Sequence, residues 1–311
     1  MNKIIAIIPQ KCLGFGGAFS VYEGLSLLSE VELQTFETFN PTVDTKLVIG
    51  FGWSPPRKEG FNYKTSFLFC SPILQCEFSN ELNLLNGKIQ EVNKGILDYL
   101  FLLHKPDADA LSSIWGEKII HLLPLFNKKL PEPQFESRRG ICCVGMARGN
   151  KNYYNQALAV AISAYEDQEL YTFGDKPELF HLSKSLFKQD WNWFDWKSND
   201  EYYNILRRMK LGLQVSLAES FCYFVLELAM LKIPSIVSKT VSWYADDLDL
   251  NDNCVVENSN DPIEIRDRIN NILDHPDTYS AICERSYFVA QRILKDNLEK
   301  TQKILEDLIN D

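Results

Sequence analysis

Val215–Pro234 reads VSLAESFCYFVLELAMLKIP, and its parts follow one another in an informative order. An apolar strand over 213–217 ends in a short turn carrying Glu219 and Ser220. A helical pattern over 221–231 follows and carries Glu227, and Pro234 then leads into a second β-branched run at 235–238. Strand, helix and strand at this spacing form a βαβ unit, whose two strands must lie parallel. Ser220 is a natural N-cap. A helix starting just past a strand's carboxyl end aims unpaired amides and a positive dipole end into the crevice where such sheets bind ligands, a place that suits a diphosphate.

The same alternation extends in both directions. Upstream come strand 140–146, helix 151–165, strand 170–173, helix 177–187, strand 191–194 and helix 199–209; downstream come strands 235–238 and 254–257 and helix 262–274. Nearer the N-terminus, Lys3–Pro9 (KIIAIIP) is a β-branched run suited to burial on both faces, and it leads into a glycine-containing loop. Further strands are predicted at 46–51, 65–70, 98–103 and 119–125, with helices near 81–95 and 107–116. Phe126–Ser137 (FNKKLPEPQFES) interrupts the series with two prolines, charge and no hydrophobic period, as a linker does. The fold class is therefore α/β. It comprises a Rossmann-like doubly wound domain over 1–137, a second over 138–290, and two helical patterns in 278–311, of which the terminal one, 291–311, packs back on the body.

With 311 residues, 45% hydrophobic and 24% charged, the chain has the material for two such domains. A net charge of −10 without a basic run repels a phosphate backbone, so nucleic acid is not an expected partner. Acids exceed bases on both sides of residue 137, which leaves at most weak peripheral membrane contact. The longest apolar runs fall well short of the roughly 18 residues a membrane span needs, and no cleavable signal pattern opens the chain. None of the eight cysteines forms a C-x-x-C pair, and Cys70, Cys142, Cys143 and Cys254 lie in apolar runs as small hydrophobes. A cytoplasmic location is the expectation.

Glu219 and Glu227 could hold different parts of one elongated ligand, since carboxylates accept hydrogen bonds from sugar and ribose hydroxyls. Spacing alone leaves a second reading open, in which Glu219 favours a helix N-terminus and Glu227 is a solvated helix residue. The segment resembles the retaining glycosyltransferases of the GT-B fold, family 4. Their pattern is a small-residue turn, Glu, two residues, Gly, and a second Glu after seven intervening residues, then a helix closing before a proline. Ser216, Glu219, Phe221, Glu227 and Pro234 fill those positions, while Cys222 and Lys232 stand where the family has glycine.

The resemblance implies that Glu219 contacts the donor sugar, the backbone amides of Ser220, Phe221 and Cys222 meet the diphosphate, and Glu227 holds the ribose. Gly145–Asn152 (GMARGNKN) is similar to the family's diphosphate-binding loop, with Arg148 and Lys151 neutralising the charge that grows on the leaving nucleotide. The loop Gly14–Ser20 (GFGGAFS) is similar to the family's Gly-Gly pair through Gly16 and Gly17; it lacks the G-x-G-x-x-G spacing of a dinucleotide site. The implied catalytic set is Glu219, Arg148 and Lys151. The donor is a UDP-sugar or GDP-sugar, the acceptor a hydroxyl of a glycan, glycolipid or glycoprotein, and the chemistry retains anomeric configuration without a metal or other cofactor.

His104 stands roughly where some family members place a histidine near the reacting sugar. Two D-x-D triplets, at Asp107 and Asp109 and at Asp247 and Asp249, would bind a divalent cation in a metal-dependent GT-A transferase, but the first reads more simply as the acidic start of a helix. Trp191, Trp193, Trp196 and Trp243, with Phe194, Tyr202 and Tyr203, make an aromatic concentration that is mostly packing and could supply one ring to a nucleotide base. Two rival functions share the architecture, namely a nucleotide-sugar 2-epimerase and a non-catalytic sugar-nucleotide or glycan-binding module.

Overall fold

The computed structural model describes residues 3–13, 16–76, 81–136, 138–144, 149–165, 169–174, 191–195 and 198–310. The chain divides into two compact units, one of Met1–Lys129 with Ile293–Asp311 and the other of Leu130–Arg292. Each is built on a six-stranded sheet in which every pairing is parallel.

In the first unit the strands are β1 (Ile4–Ile8), β2 (Val31–Thr35), β3 (Leu47–Phe51), β4 (Lys64–Phe69), β5 (Tyr99–Leu102) and β6 (Ile119–His121), in spatial order 2-1-3-4-5-6. All five residues of β1 and all five of β3 are buried, as strands covered on both faces must be. The connecting helices are α1 (Gly16–Gly24), α2 (Ile73–Cys76), α3 (Glu81–Asn93) and α4 (Lys105–Trp115). α3 and α4 bury Leu85, Ile89, Val92 and Ala108 against Phe67, Phe69, Leu100 and Leu102 of the sheet.

Sequence reasoning misses β2. Its residues, VELQT, contain only two apolar side chains and are half-buried, and the strand exists because its backbone pairs with β1 from Ile4↔Val31 to Ile8↔Thr35. The glycine stretch differs too: Gly16 and Gly17 open α1 rather than lying in a loop.

The second unit holds β7 (Ile141–Val144), β8 (Leu170–Phe173), β9 (Trp191–Phe194), β10 (Leu211–Gln214), β11 (Ser235–Ser238) and β12 (Val255–Val256), in spatial order 12-11-10-7-8-9. Its helices are α5 (Tyr153–Ala161), α6 (Asn199–Leu206), α7 (Tyr223–Met230), α8 (Ser242–Ala245), α9 (Leu248–Cys254), α10 (Pro262–Asp274) and α11 (Pro276–Asn310), the last ending in the first unit. The helix predicted at 177–187 lies outside the described residues. Ser198 caps α6 through a full capping box with Glu201. Asp261 caps α10, where Pro262 sits at the first helical position.

Two local expectations are corrected. The two helical patterns after 278 are one 35-residue helix, α11, because after Pro276 no glycine or proline interrupts it. β10 runs over 211–214 instead of 213–217. Its ladder stops at Val215, whose amide donates to the Gln156 side chain at 3.0 Å, which frees the next residues for a loop.

Gly212 sets the depth at which α7 lies on β10, since a Cβ there would collide with Leu228 Cδ1 and Ser235 Oγ. Gly212→Ala should accordingly lower stability by about 1–3 kcal/mol, read as a fall in urea midpoint at unchanged slope.

Candidate functional site

The order of the second sheet reverses between β7 and β10, because the chain builds outward through β8 and β9 on one side and through β11 and β12 on the other. At such a switch point the loops leaving the two central strands diverge and open a crevice at their carboxyl ends. Of the sequence-predicted site residues, Lys151 lies on the loop after β7, Glu219, Ser220, Phe221 and Cys222 lie on the loop after β10, Glu227 lies in α7, and Gly16 and Gly17 lie in the first unit.

After β7, Gly149–Lys151 form a single 3-10 turn, followed by Asn152 in the left-handed region (φ 52°). Asparagine tolerates that conformation, and its side chain secures it by donating to Val215 O at 3.0 Å and Ser259 O at 2.5 Å. The loop after β10 is stitched to this turn. Leu217 N donates to Asn150 O at 2.7 Å, Asn150 Nδ2 to Ala218 O at 3.3 Å, and the buried Gln156 spans Lys151 O and Val215 N. Ser238 Oγ, at the end of β11, adds a bond to Ser216 O at 2.6 Å.

These ties bring Lys151 Nζ to 2.6 Å from Glu219 Oε1, with both residues buried (8% and 6% exposed). Gln214 Nε2 donates to the same carboxylate oxygen at 2.6 Å and to Ser216 Oγ at 2.6 Å. Glu219 is thus oriented by two donors, one from the turn after β7 and one from the end of β10, and is not a solvated helix-start acid. A buried charge stripped of its partner is costly, so Lys151→Ala should destabilise the fold by about 3–5 kcal/mol in denaturant titration.

The turn after Glu219 differs in one respect from expectation. The N-cap of α7 is Cys222, not Ser220, and the helix starts at Tyr223. Cys222 takes φ 67° and ψ 74°, the left-handed region that glycine occupies at no steric cost. Lys232, the second position where a glycine was expected, has φ 55°. There the amides of Lys232 and Ile233 donate to Ala229 O and Leu228 O, the paired bonds of a Schellman C-cap. Arg138 donates to Leu231 O and Lys232 O at 2.7 and 2.6 Å, a cation at the negative end of the helix. The Lys232 side chain is held by Glu284 and lies over the Tyr287 ring.

Phe221 is buried, and its carbonyl accepts from Trp243 Nε1 at 3.0 Å. Burial, reinforced by the Glu219 charge, pushes the Cys222 thiol well above its ordinary pKa, so it remains neutral and adds no negative charge at the mouth of α7. Replacing Cys222 by glycine should give a protein more stable than the Cys222→Ala variant by about 1 kcal/mol, because only glycine relieves the left-handed backbone. Paired thermal melts check this.

Glu227 lies about one turn into α7 and is 5% exposed, which excludes the solvated reading. Its two oxygens accept from Tyr203 OH at 2.8 Å and Tyr202 OH at 3.0 Å, both on α6. Burial, with the Glu227 charge beside it, raises the Tyr202 phenol well above its usual pKa, so it stays protonated as a donor.

Sequence reasoning did not assign Gln214 or Gln156 to the site, and it read Tyr202 and Tyr203 as aromatic packing or a stacking ring, not as donors to Glu227. A signal for Gln214 existed, a polar residue inside the apolar run LGLQV. Arg148 lies outside the described residues, as do Trp196 and His181. Trp191 and Trp193 spend their indole N–H groups on Thr172 Oγ1 and Gly174 O, both at 2.8 Å, and act in packing of the second sheet.

In the first unit, His104 is the N-cap of α4, with Nδ1 2.7 Å from Asp107 Oδ2. That carboxylate oxygen also accepts from Ile73 N at 2.7 Å, while Asp109 pairs with Lys105. Asp247 is a buried N-cap of α9 gripped by Arg285 through two bonds, at 3.0 and 2.8 Å. Asp249 also meets Arg285, at 3.4 Å, so the second D-x-D triplet is taken up by a guanidinium, while Asp107 and Asp109 turn to separate partners. Among the described residues no three His, Cys, Asp or Glu side chains gather as a metal would require, and no helix is long and apolar enough to cross a membrane.

The family described as "Glycosyl transferases group 1" matches residues 127–287, just over half of the chain and nearly all of the second unit. No curated protein sequence matches. Solved structures match over almost the full length of both chains. Sucrose-phosphate synthase from Thermosynechococcus elongatus is 13% identical over 99% of this chain and 100% of that one, with a TM-score of 0.72. Anabaena HepE in complex with UDP and glucose is 12% identical over 100% of each chain, with a TM-score of 0.73. WaaG, a glycosyltransferase involved in lipopolysaccharide biosynthesis, is 14% identical over 97% and 99%, with a TM-score of 0.68. At these identities the likeness is one of fold, and the fold is GT-B.

Proposed function

We propose, from the premise that this chain belongs to the group 1 glycosyltransferases, that it moves a sugar from a nucleoside-diphosphate-sugar to an acceptor hydroxyl with retention of anomeric configuration, in the manner of family 4. The observation that carries this reading is the buried Lys151–Glu219 pair at the β7/β10 switch point, one turn upstream of the α7 N-terminus. A cation, a carboxylate and a helix N-terminus together match a ligand that is part diphosphate and part polyol. That HepE is solved with UDP and glucose supports the same class of donor here.

In this assignment the second unit binds the donor and the first unit the acceptor. Glu219 accepts hydrogen bonds from the donor sugar's hydroxyls, with Gln214 fixing its carboxylate. Lys151 has three N–H donors and gives only one to Glu219, so it can turn the others to the diphosphate. Arg148 joins it there, as do the backbone amides of Ser220, Phe221 and Cys222. Gly16 and Gly17, at the start of α1, supply amides free of side chains. Glu227, already held by two phenols, takes the ribose hydroxyls.

As the bond from the anomeric carbon to the diphosphate breaks, negative charge grows on the leaving oxygen. Lys151, Arg148 and the α7 amides stabilise that charge more in the transition state than in the ground state, which is what accelerates the step. The same leaving oxygen takes the proton of the attacking hydroxyl, which enters on the face the nucleotide vacates, and configuration is kept. No metal ion enters this scheme. The acceptor is a hydroxyl of a glycan, glycolipid or glycoprotein.

The test is a thermal-shift and calorimetric panel of UDP, GDP, ADP and their sugars, with magnesium or with EDTA. One nucleoside diphosphate is expected to stabilise the protein by about 2.7 kcal/mol at a hundredfold excess over its Kd, equally with and without metal. Glu227→Ala should weaken that binding roughly tenfold, and Lys151→Met should cost turnover about 10²–10³-fold. An inverted anomeric product by NMR would overturn retention, and conversion of the donor without any acceptor would point to an epimerase.

A further inference from the structure

Three neighbouring strands of the first sheet, β2, β1 and β3, end in loops that carry an aromatic cluster. The order of this sheet reverses at β1, with β2 on one side and β3 on the other, so their carboxyl ends form this unit's own switch point. Trp53 stands two residues past β3 and is 49% exposed. Phe36 follows β2, and its ring meets the indole edge-on with centroids 5.4 Å apart. Lys11, in the loop after β1, places Nζ 5.3 Å from the Trp53 ring centroid. Glu37, next to Phe36, accepts from Gln10 N at 3.3 Å and is thereby tied to the same loop.

An indole left half in water is unremarkable alone, since single exposed apolar residues are common. Here a second aromatic meets the ring, a cation lies over one of its faces, and the ring stands at the carboxyl end of the strands, where α/β units bind ligands. Over it stands an ammonium that donates to oxygen, and the residue after Phe36 supplies a carboxylate that accepts hydroxyl protons. An apolar ring with hydrogen-bonding groups of both kinds at its rim is complementary to a pyranose, which offers a face of C–H bonds and an edge of hydroxyls.

We infer that Trp53, supported by Phe36 and flanked by Lys11 and Glu37, is a sugar-stacking subsite that receives a pyranose ring of the acceptor. The inference rests on reading the chain as a transferase to a glycan-type acceptor and gives that reading a place and a chemistry. The ring sits on the indole, Glu37 accepts from one or two of its hydroxyls, and Lys11 donates to a ring or hydroxyl oxygen. The subsite recognises a hexopyranose unit, whether it is carried by an oligosaccharide or by a lipid-linked sugar.

Saturation-transfer NMR and intrinsic-fluorescence titrations of the full chain with methyl glucoside, methyl galactoside, methyl mannoside, maltose and lactose test it, with uridine as a control for base stacking. At least one sugar is expected to bind with a millimolar Kd. Trp53→Ala should raise that Kd about fivefold or more, and Trp53→Phe should keep it within about threefold of wild type. The thermal shift given by the preferred nucleoside diphosphate should be the same in wild type and Trp53→Ala, which also shows that the variant is folded. An unchanged sugar Kd in Trp53→Ala, no sugar of the panel binding the wild type, or loss of uridine rather than sugar binding in Trp53→Ala each overturns the subsite. Absence of any nucleotide response alongside Trp53-dependent sugar binding counts against the donor site instead and leaves this subsite standing.

Discussion

The Lys151–Glu219 ion pair joins two loops separated by 68 residues, and the second unit's site is organised around keeping it dry and aligned. Two charges removed from water are stable only when their geometry is good and their other hydrogen-bonding positions are served. The surrounding polar groups meet that condition. Gln214 shares the carboxylate, Gln156 ties Lys151 O to Val215 N, and Asn150 and Asn152 lace the two loops together. The pair is therefore preorganised, its two charges held in place by the fold.

The helix behind the pair is held with equal care at both ends. At its start Cys222 follows a left-handed turn, braced by the Trp243 indole on the neighbouring carbonyl. At its finish Lys232 makes the left-handed step of a Schellman cap, and Arg138 covers the exposed carbonyls. Glycine would take either conformation freely. The two side chains that replace it add something glycine cannot, a buried neutral thiol at one end and an ion pair with Glu284 at the other. The backbone keeps the left-handed step at both positions even though neither residue is glycine.

Both sheets use the same device at different places. A doubly wound parallel sheet has one point where its order reverses, and there the loops part. In the second unit this point carries the charged pair, and in the first it carries Trp53, Phe36 and Lys11.

Much of this was legible in the amino-acid order. Runs such as IIAII and LVIGF are buried on both faces and can only be interior parallel strands, and Val215–Pro234 already showed strand, turn, helix and proline in sequence. Glu219 and Glu227 stood out by their place after an apolar strand, though spacing left their role open, and Lys151 stood out through the resemblance of its loop to the family's diphosphate-binding loop. Tertiary structure alone decided who the partners are. β2 is too polar to announce itself and exists by pairing with β1. β10 ends where a glutamine from another helix takes its next hydrogen bond. Glu227 is dry because two tyrosines from α6 reach it, and Trp53 matters because the loops of two other strands arrive beside it. Periodicity reports which face of an element is apolar, a local property of the chain. Hydrogen bonds and ion pairs between residues far apart in sequence depend on how the elements pack, which no local pattern encodes.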